Sequence, residues 1–329
     1  MPKLNRRSKI LVFGLVLIAL VLVGGLFFPV PQPEVHLSAN YGVDVGDRHI
    51  PDPFYKLGPI YITNTLIAAW MGILVLIGLF YFATRKMRLV PKGLQNFAET
   101  IIEALLNLME GIAGKENGRK FFAIVATIFL YVLINAWMGL LPFFNVIGEV
   151  QQGTSDTLFY KLFGMGQYIG PIVTLPLFRA ANTDVNLPLM LALVSFVSVE
   201  YWGITSLGLR HYVSKFLRLG GVLKGLKQLI KGRVKEALSA ILFGIIDAFV
   251  GGIELLSEFI RIISFTFRLF GNMTAGEILL LVIAFIVPWM FPVIFYGLET
   301  FFGVIQAFIF AILTLVFATM AVAAHQSEH

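Results

Sequence analysis

Long apolar runs, separated by short polar or basic stretches, divide most of this chain into segments of membrane length. Runs over residues 60–84, 121–141, 187–209 and 293–324 are each long enough to cross the ~30 Å hydrocarbon core of a bilayer as a helix. A fifth run, over residues 237–288, would be ~78 Å long as one helix. The pattern predicts an all-α polytopic membrane protein with about five spanning helices in this part of the chain.

The fifth run is too long to cross the membrane once at a right angle to its plane. It is expected either to break into a helical hairpin near Gly251 and Gly252, or to form one strongly tilted helix. We expect both in part, with a short helix over residues 237–250 and a long tilted helix over residues 253–287.

A less hydrophobic stretch over residues 93–114 has apolar residues at helical spacing, among them Phe97, Ile101 and Leu108. This pattern is typical of an amphipathic helix that lies in the plane of the membrane interface. We therefore expect an interfacial helix here rather than a spanning one.

Residues 1–30 hold four basic residues followed by an apolar run from Ile10 to Val30. Such a pattern is typical of a cleaved secretory signal or of a retained signal anchor. The length of the run, and the poor cleavage site at Gly24 and Gly25, favour the anchor. Residues 31–59 contain several prolines and acids and are expected to form an irregular outer polar segment.

Composition supports the membrane class. The 329 residues are 58% hydrophobic and 13% charged, whereas soluble domains are about 25% charged. The net charge of +6 is explained by topology, because 19 of the 25 lysines and arginines fall in segments that the alternation of spans places inside. A nucleic-acid partner is therefore not expected, and the lipid bilayer is.

Several kinds of chemistry are excluded or disfavoured by the residues present. There are no cysteines, which excludes thiol catalysis and disulfides, and five histidines make a histidine metal cluster improbable. No glycine-rich phosphate loop and no internal repeat is found, which disfavours nucleotide hydrolysis and an inverted-repeat transporter. We expect no cofactor, no metal and no catalytic residue.

A line of ionisable residues runs through the fifth apolar run, although each costs roughly 2.5–3.5 kcal/mol at the centre of a membrane helix. At about 100° per residue, Glu258 falls at the edge of a shared polar face and Glu277 falls on the opposite side. The shared face carries Glu254, Arg261, Ser264, Arg268 and Asn272.

Two interpretations of this face are open. Glu254 or Glu258 could pair with Arg261 in an ion-pair network that fixes helix packing. Arg268 fits this interpretation poorly, because it has no acid three or four residues away along the helix. Its guanidinium stays protonated, so it can repel cations and pair with a passing carboxylate but cannot relay a proton.

The last apolar run has a polar stripe of its own, since Glu299, Gly303 and Gln306 follow helical spacing. Glu277 and Glu299 flank the turn between the last two runs at similar separations, so we expect them at a similar depth in the outer half of the membrane. The pair is suited to proton relay, and structural pairing is the alternative.

Residues 268–277, with the sequence RLFGNMTAGE, resemble the signature of subunit a of the F-type ATP synthase. Residues 305–310 resemble the last helix of that family, residues 135–142 resemble a helix end, and residues 182–186 resemble the start of the next helix. The resemblance implies a membrane domain over residues 60–329.

The resemblance implies roles for individual residues. Arg268 would be the stator arginine that faces a ring of c subunits and blocks a proton short circuit. The remaining site residues divide between two half-channels. The outer one would contain Asn272, Glu277, Glu299, Gln306, Asp184 and Asn186, although Asp184 is equally well explained as a helix N-cap. Glu254, Arg261 and Ser264 match positions on the inner one, and Glu258, at the edge of their face, is assigned there too.

The resemblance also implies the setting. The chain would be a non-enzymatic subunit of the complex in a bacterial inner membrane, with its C-terminus and basic loops cytoplasmic. Its partners would be the c ring, the b subunits of the peripheral stalk, and protons or sodium ions. The competing hypothesis is a self-contained proton-coupled transporter or channel.

The chain departs from the family pattern at four places. The helix over residues 10–30 is additional, the loop over residues 143–181 is long, and Glu299 stands where some relatives have histidine. Glu200 belongs to no motif that can be carried over from the family, and pairing with another subunit and a place in a wet cavity are both open for it.

Overall fold

The computed structural model describes residues 16, 44–45, 48–49, 56–57, 60–141, 144, 147–155, 168–176, 178–216, 218, 220–230, 234–287 and 291–323. The helix predicted over residues 10–30 lies outside this part of the chain, except for Val16, which is helical. Most of the outer polar segment predicted over residues 31–59 lies outside it as well.

Within the described part of the chain, five helices are long and apolar enough to cross a membrane. The predicted all-α polytopic fold is therefore confirmed for these spans. They are α1 (Asn64–Thr84), α2 (Leu94–Gly139), α3 (Asn186–Leu207), α6 (Val234–Ile286) and α7 (Phe291–Ala323).

Two short helices, α4 (Leu209–Phe216) and α5 (Gly220–Ile230), lie in the basic stretch between α3 and α6. Small antiparallel strand pairs precede α1 and lie between α2 and α3, and they were not predicted. They are β1 (Asp44–Val45) with β2 (Arg48–His49), β3 (Lys56–Leu57) with β4 (Ile60–Tyr61), and β5 (Gly148–Ser155) with β6 (Tyr168–Pro176).

Helix α2 combines two segments that the sequence predicts as separate helices. Its backbone leaves helical geometry at Gly114, where φ is +79° and ψ is 162°. Only glycine adopts such a φ readily, so the change of direction occurs there. The arm before Gly114 corresponds to the predicted amphipathic helix, whose position at the membrane interface stays a prediction.

The break predicted in α6 near Gly251 is wrong, because this helix runs without interruption from Val234 to Ile286. A glycine inside a helix costs only about 1 kcal/mol relative to alanine. Gly251 instead permits a close approach, since a Cβ there would overlap the backbone carbonyl of Phe216 at the end of α4. The tilt of α6 stays a prediction.

The described residues fall into two compact units, and α6 and α7 each contribute to both. Unit 1 is made of residues 1–77, 131–184 and 270–306. Within unit 1, the Tyr131 hydroxyl donates to the Ala69 carbonyl oxygen at 3.5 Å. Asn135 is buried beside Gly72, where a Cβ would come within 2.8 Å of the Asn135 amide.

Unit 2 is made of residues 78–130, 185–269 and 307–329. Its core is formed by aromatic and aliphatic side chains of α2, α3, α6 and α7. The Phe121 and Trp202 rings lie 4.5 Å apart between centroids, and the Phe265 and Phe310 rings lie 4.7 Å apart. Ser195 and Thr314 share a buried hydrogen bond of 2.8 Å, which satisfies both hydroxyls between α3 and α7.

Candidate functional site

A cavity of about 590 Å³ in unit 2 brings the predicted inner residues together. Polar side chains of α6 line it on one side, and apolar side chains of α7, including Leu313 and Phe317, line it on the other. The polar lining includes Glu254, Glu258, Arg261, Ser264 and Arg268. All four predicted inner residues therefore share one cavity with Arg268.

Arg261 is held in the wall of this inner cavity. Its guanidinium forms ion pairs with Glu258 on the same helix and, at 3.6 Å, with Glu200 of α3. It also lies over the Phe317 ring, 4.5 Å from the ring centroid. The Glu258–Arg261 pair considered from the sequence is thus present, while Glu254 pairs with Arg218 at 3.2 Å.

Glu200 therefore has partners within its own chain. Besides Arg261, it accepts a hydrogen bond from the hydroxyl of Tyr212 in α4. The sequence leaves the role of Glu200 open, and the structure gives it partners on two other helices of the same chain. No sequence motif indicated them, because the three residues lie on three different helices.

Arg268 is half-buried and differs from the other arginines of the site. Its Nη2 donates to Ser264 Oγ at 3.4 Å, and its central guanidinium carbon lies 5.7 Å from the Phe265 ring centroid. No carboxylate of a described residue lies within 4.0 Å of its guanidinium nitrogens. Its charge is therefore not neutralised by an acid within the described part of the chain.

All of the predicted outer residues except Asn186 belong to unit 1, where α6 and α7 are joined by their polar side chains. Asn272 of α6 donates from Nδ2 to Oε1 of Gln306 in α7 at 2.8 Å. Gln306 is 2% exposed, and its Nε2 forms no hydrogen bond with a described residue. This junction lies one helical turn after Arg268 along α6.

Glu277 is paired with a cation that the sequence did not single out. Arg179 Nη2 lies 3.6 Å from Glu277 Oε2, and the Arg179 side chain is only 4% exposed. The available sequence signal was weak, since Arg179 is a lone cation three residues before the motif at residues 182–186. The arginine balances the charge of a predicted outer carboxylate.

Glu299 of α7 lies against the backbone of α6 next to Glu277. It is 9% exposed, and a Cβ at Gly276 would overlap its carboxylate. The small residue at position 276 therefore makes room for the acid of the facing helix. Since positions 276 and 277 are adjacent, Glu299 lies beside the turn of α6 that carries Glu277, and their depth in the membrane stays a prediction.

Replacing Gly276 with alanine is expected to destabilise the chain by about 1–3 kcal/mol, because the added methyl overpacks a filled site. The check is the thermal unfolding midpoint of the complex in detergent. Gly271 on the same helix offers a matched control, since no atom lies within 4 Å of a Cβ built there. Equal midpoints for Gly276→Ala and Gly271→Ala would show that the close approach has no energetic consequence.

The residues predicted near the mouth of the outer path begin α3. Asp184 Oδ2 accepts a hydrogen bond from Thr65 Oγ1 at 2.9 Å. The N-cap interpretation of Asp184 is wrong, since Val185 holds the N-cap position of α3 and forms no side-chain cap hydrogen bond. Asn186 is the exposed first residue of α3. Asn182 is fully buried, and neither its Oδ1 nor its Nδ2 forms a hydrogen bond with a described residue.

The fold and these two polar clusters define a multi-pass membrane protein with ionisable groups inside its spanning helices. Residues 66–319 match the family described as ATP synthase A chain. The chain therefore belongs to the ATP synthase A chain family, which confirms the assignment made from residues 268–277.

Individual relatives agree with this family. The chain is 31% identical over 269 residues to ATP synthase subunit a of Helicobacter acinonychis (strain Sheeba), covering 82% of this chain and 93% of the relative. It is equally similar, over the same lengths, to ATP synthase subunit a of Helicobacter pylori (strain Shi470). It is 32% identical over 251 residues to that of Campylobacter jejuni subsp. doylei, covering 75% of this chain and 85% of the relative.

Proposed function

We propose that this chain is the stator subunit of a rotary F-type ATP synthase and offers two offset proton half-channels to a c ring. In this proposal Arg268 separates the half-channels. Family membership supports the assembly, and the grouping of polar residues supports the two paths.

The unpaired charge of Arg268 carries the proposal. The described arginines that contact carboxylates of the polar clusters, Arg179, Arg218 and Arg261, lie within 3.6 Å of them. A cation in a membrane helix is costly unless it has a partner or a function. Since no described acid neutralises Arg268, its guanidinium is available to a carboxylate on another subunit, such as the rotor.

The inner cavity supports the inner path. It reaches from Glu254 to Arg268, which is about 21 Å along the helix axis at 1.5 Å per residue. Carboxylates and a serine hydroxyl line this length, so protons passing along it meet acceptor oxygens at successive turns. The opposite wall is apolar, which keeps the polar route on the α6 side.

The outer path is supported by polar groups of unit 1 that lack protein partners. Buried atoms of Asn182, Thr274 and Gln306 form no hydrogen bond with described residues. Buried polar groups normally have a partner in protein or ordered water, because leaving them unsatisfied is costly. These atoms therefore favour a hydrated route, along which Glu277 and Glu299 supply titratable groups.

The mechanism follows from a path that is interrupted at Arg268. A proton arriving by the outer path binds a rotor carboxylate. The rotating ring carries it to the inner path, by which it leaves. Each proton that crosses the membrane supplies roughly 2.3 kcal/mol of free energy per 100 mV of membrane potential. Proton transfer is the only bond chemistry of the chain in this scheme, and the nucleotide sites belong to other subunits.

The proposed setting is a bacterial inner membrane with the C-terminus and basic loops in the cytoplasm. Exposed Lys224 and Lys227 of α5 fit that side, because basic loops concentrate there. Peripheral-stalk b subunits would hold the chain against rotation. The coupling ion is a proton in this proposal.

Reconstitution tests the proposed function. Purified chain in vesicles is expected to give no proton flux under a potassium diffusion potential, whereas chain together with the c ring and b subunits conducts. A fluorescent pH indicator inside the vesicles reports the flux. Conduction by the chain alone would instead favour a self-contained transporter or channel.

A further inference from the structure

Glycines hold the short helix α5 against the first turns of α6. A Cβ on Gly221 would lie 2.6 Å from the Cα of Gly244 in α6. A Cβ on Gly225, one turn further along α5, would lie 3.0 Å from the carbonyl oxygen of Ala237. Side chains at these positions would not fit, so one face of α5 rests directly on the backbone of α6. The other faces of α5 are turned away from α6.

Apolar side chains form an exposed strip on those other faces. Leu223, Leu226 and Ile230 are 58%, 49% and 85% exposed. At about 100° per residue, they fall within a sector of about 60° around the helix axis. Single exposed apolar residues are normal on a protein surface, but several that adjoin mark a place where another apolar surface binds.

Lysines border this apolar strip. Lys224 and Lys227 are both exposed and fall within a second sector of about 60°, next to the first. No residue of α5 is acidic. Neither lysine forms an ion pair with a described residue. Both ammonium groups are therefore available to an anion that approaches from outside the chain.

The position of α5 along the chain limits what it can meet. It ends at Ile230, and the long apolar helix α6 begins at Val234. Because α5 is also packed on α6, it stays close to the membrane that α6 enters. A helix with an apolar strip bordered by lysines is typical of the bilayer interface, where apolar side chains reach the acyl chains and ammonium groups reach the headgroups.

An anionic phospholipid fits both strips at once. Its headgroup phosphate matches the lysines, and its acyl chains match the aliphatic side chains beside them. An acidic protein surface would pair with the lysines but would place polar groups against the apolar strip. The combination therefore favours a lipid over an acidic protein.

We propose that α5 is a membrane-surface helix that binds anionic phospholipids of the inner leaflet. Lys224 and Lys227 contact the headgroups, and the apolar strip contacts the start of the acyl chains. Because glycines fix α5 to α6, a bound lipid also holds the first turns of the helix that carries Glu254 and Arg268. This lipid site goes beyond the proposed function, since it requires no proton path.

Fluorescence quenching by brominated lipids tests this site. The chain has no cysteine, so Leu226→Cys allows one bimane label in the apolar strip of the assembled membrane sector, once any cysteines of the other subunits have been replaced by serine. Phosphatidylcholine vesicles would contain a rising fraction of phosphatidylglycerol or phosphatidylcholine brominated in the acyl chains. Both should quench the label, and the fraction needed should be lower for brominated phosphatidylglycerol by about fivefold for each lysine.

A double variant tests the lysines themselves. Lys224→Gln together with Lys227→Gln should remove the preference, so that both brominated lipids quench the label at similar fractions. Lys115→Gln together with Lys120→Gln is the matched control, because both are exposed residues of α2 and their loss changes the net charge equally. The control should keep the preference. A preference that survives in the α5 variant, or that is lost equally in the control, would overturn the proposal.

The remaining outcomes also decide the question. If neither brominated lipid quenches the label, a protein surface covers the strip and the proposal is wrong. Equal quenching by both lipids in the unaltered lysine background would show lipid contact without headgroup recognition, which also contradicts it. The measurement needs no proton flux. Rotor-dependent flux without a lipid preference would reject the lipid site alone, and conduction by the chain alone with the preference intact would reject only the proposed function.

Discussion

Replacing Arg268 with alanine is expected to abolish ATP-driven proton pumping while allowing passive proton leak through the membrane sector. The charge that blocks direct passage between the two half-channels is removed, whereas the polar residues of both paths remain. Placing a cation at the centre of a membrane helix costs roughly 2.5–3.5 kcal/mol. We take this free energy as the size of the barrier that is lost with Arg268, so coupled pumping should fall by about 100-fold. Acridine-dye quenching in inverted vesicles measures pumping, and the decay of an imposed pH gradient measures leak.

Arg85 provides a control for the loss of a positive charge. It is exposed just after α1 and lies outside both polar clusters. Arg85→Ala should pump as the unaltered complex does. Normal pumping by Arg268→Ala would show that Arg268 does not separate the two half-channels.

Replacing Glu277 and Glu299 together with glutamine is expected to block the outer path. Both are carboxylates of unit 1, and glutamine keeps their shape while removing the ability to gain and lose a proton. Loss of positioned acid–base groups typically lowers a proton-transfer rate by about 100-fold or more. Passive flux through F1-stripped vesicles should fall accordingly, and ATP synthesis should fall with it.

The matched control for this double variant exchanges Glu103 and Glu116 for glutamine. Both are exposed residues of α2 and lie outside the two clusters. Their replacement removes the same charge from the chain and should leave flux unchanged. If the Glu277 and Glu299 double variant conducts equally well, neither acid belongs to the outer path.

Hydropathy was sufficient to predict the spanning helices, because each must hold about twenty apolar residues to cross the bilayer. It did not place the features that depend on tertiary contact. The sequence predicts a break in α6 near Gly251, but the missing side chain there admits the Phe216 carbonyl while the helix continues. A glycine that breaks a helix and a glycine that receives a neighbour look the same in sequence.

The site was predictable where its residues share a helix or a motif. Glu254, Glu258, Arg261, Ser264 and Arg268 follow one helical face, and the structure places them around one cavity. The Glu258–Arg261 pair was open from the sequence, but partners on other elements, such as Glu200 for Arg261 and Arg218 for Glu254, were not predictable.

Arg179 and Glu200 show why these partners were missed. Arg179 precedes α3 and reaches Glu277 of α6, and Glu200 of α3 reaches Arg261 of α6. No periodicity relates residues that are 98 or 61 positions apart. Charge balance inside the membrane did require such partners, because buried ions are rarely left alone.

Proton flux with the rotor locked tests the central claim most directly. The c ring would be joined covalently to the stator in otherwise intact vesicles, and passive flux measured for the unaltered chain and for Arg268→Ala. If Arg268 separates two half-channels, the locked unaltered complex conducts nothing and the locked variant still leaks. The absence of proton flux through both locked complexes, or flux through the locked unaltered complex, would contradict the account.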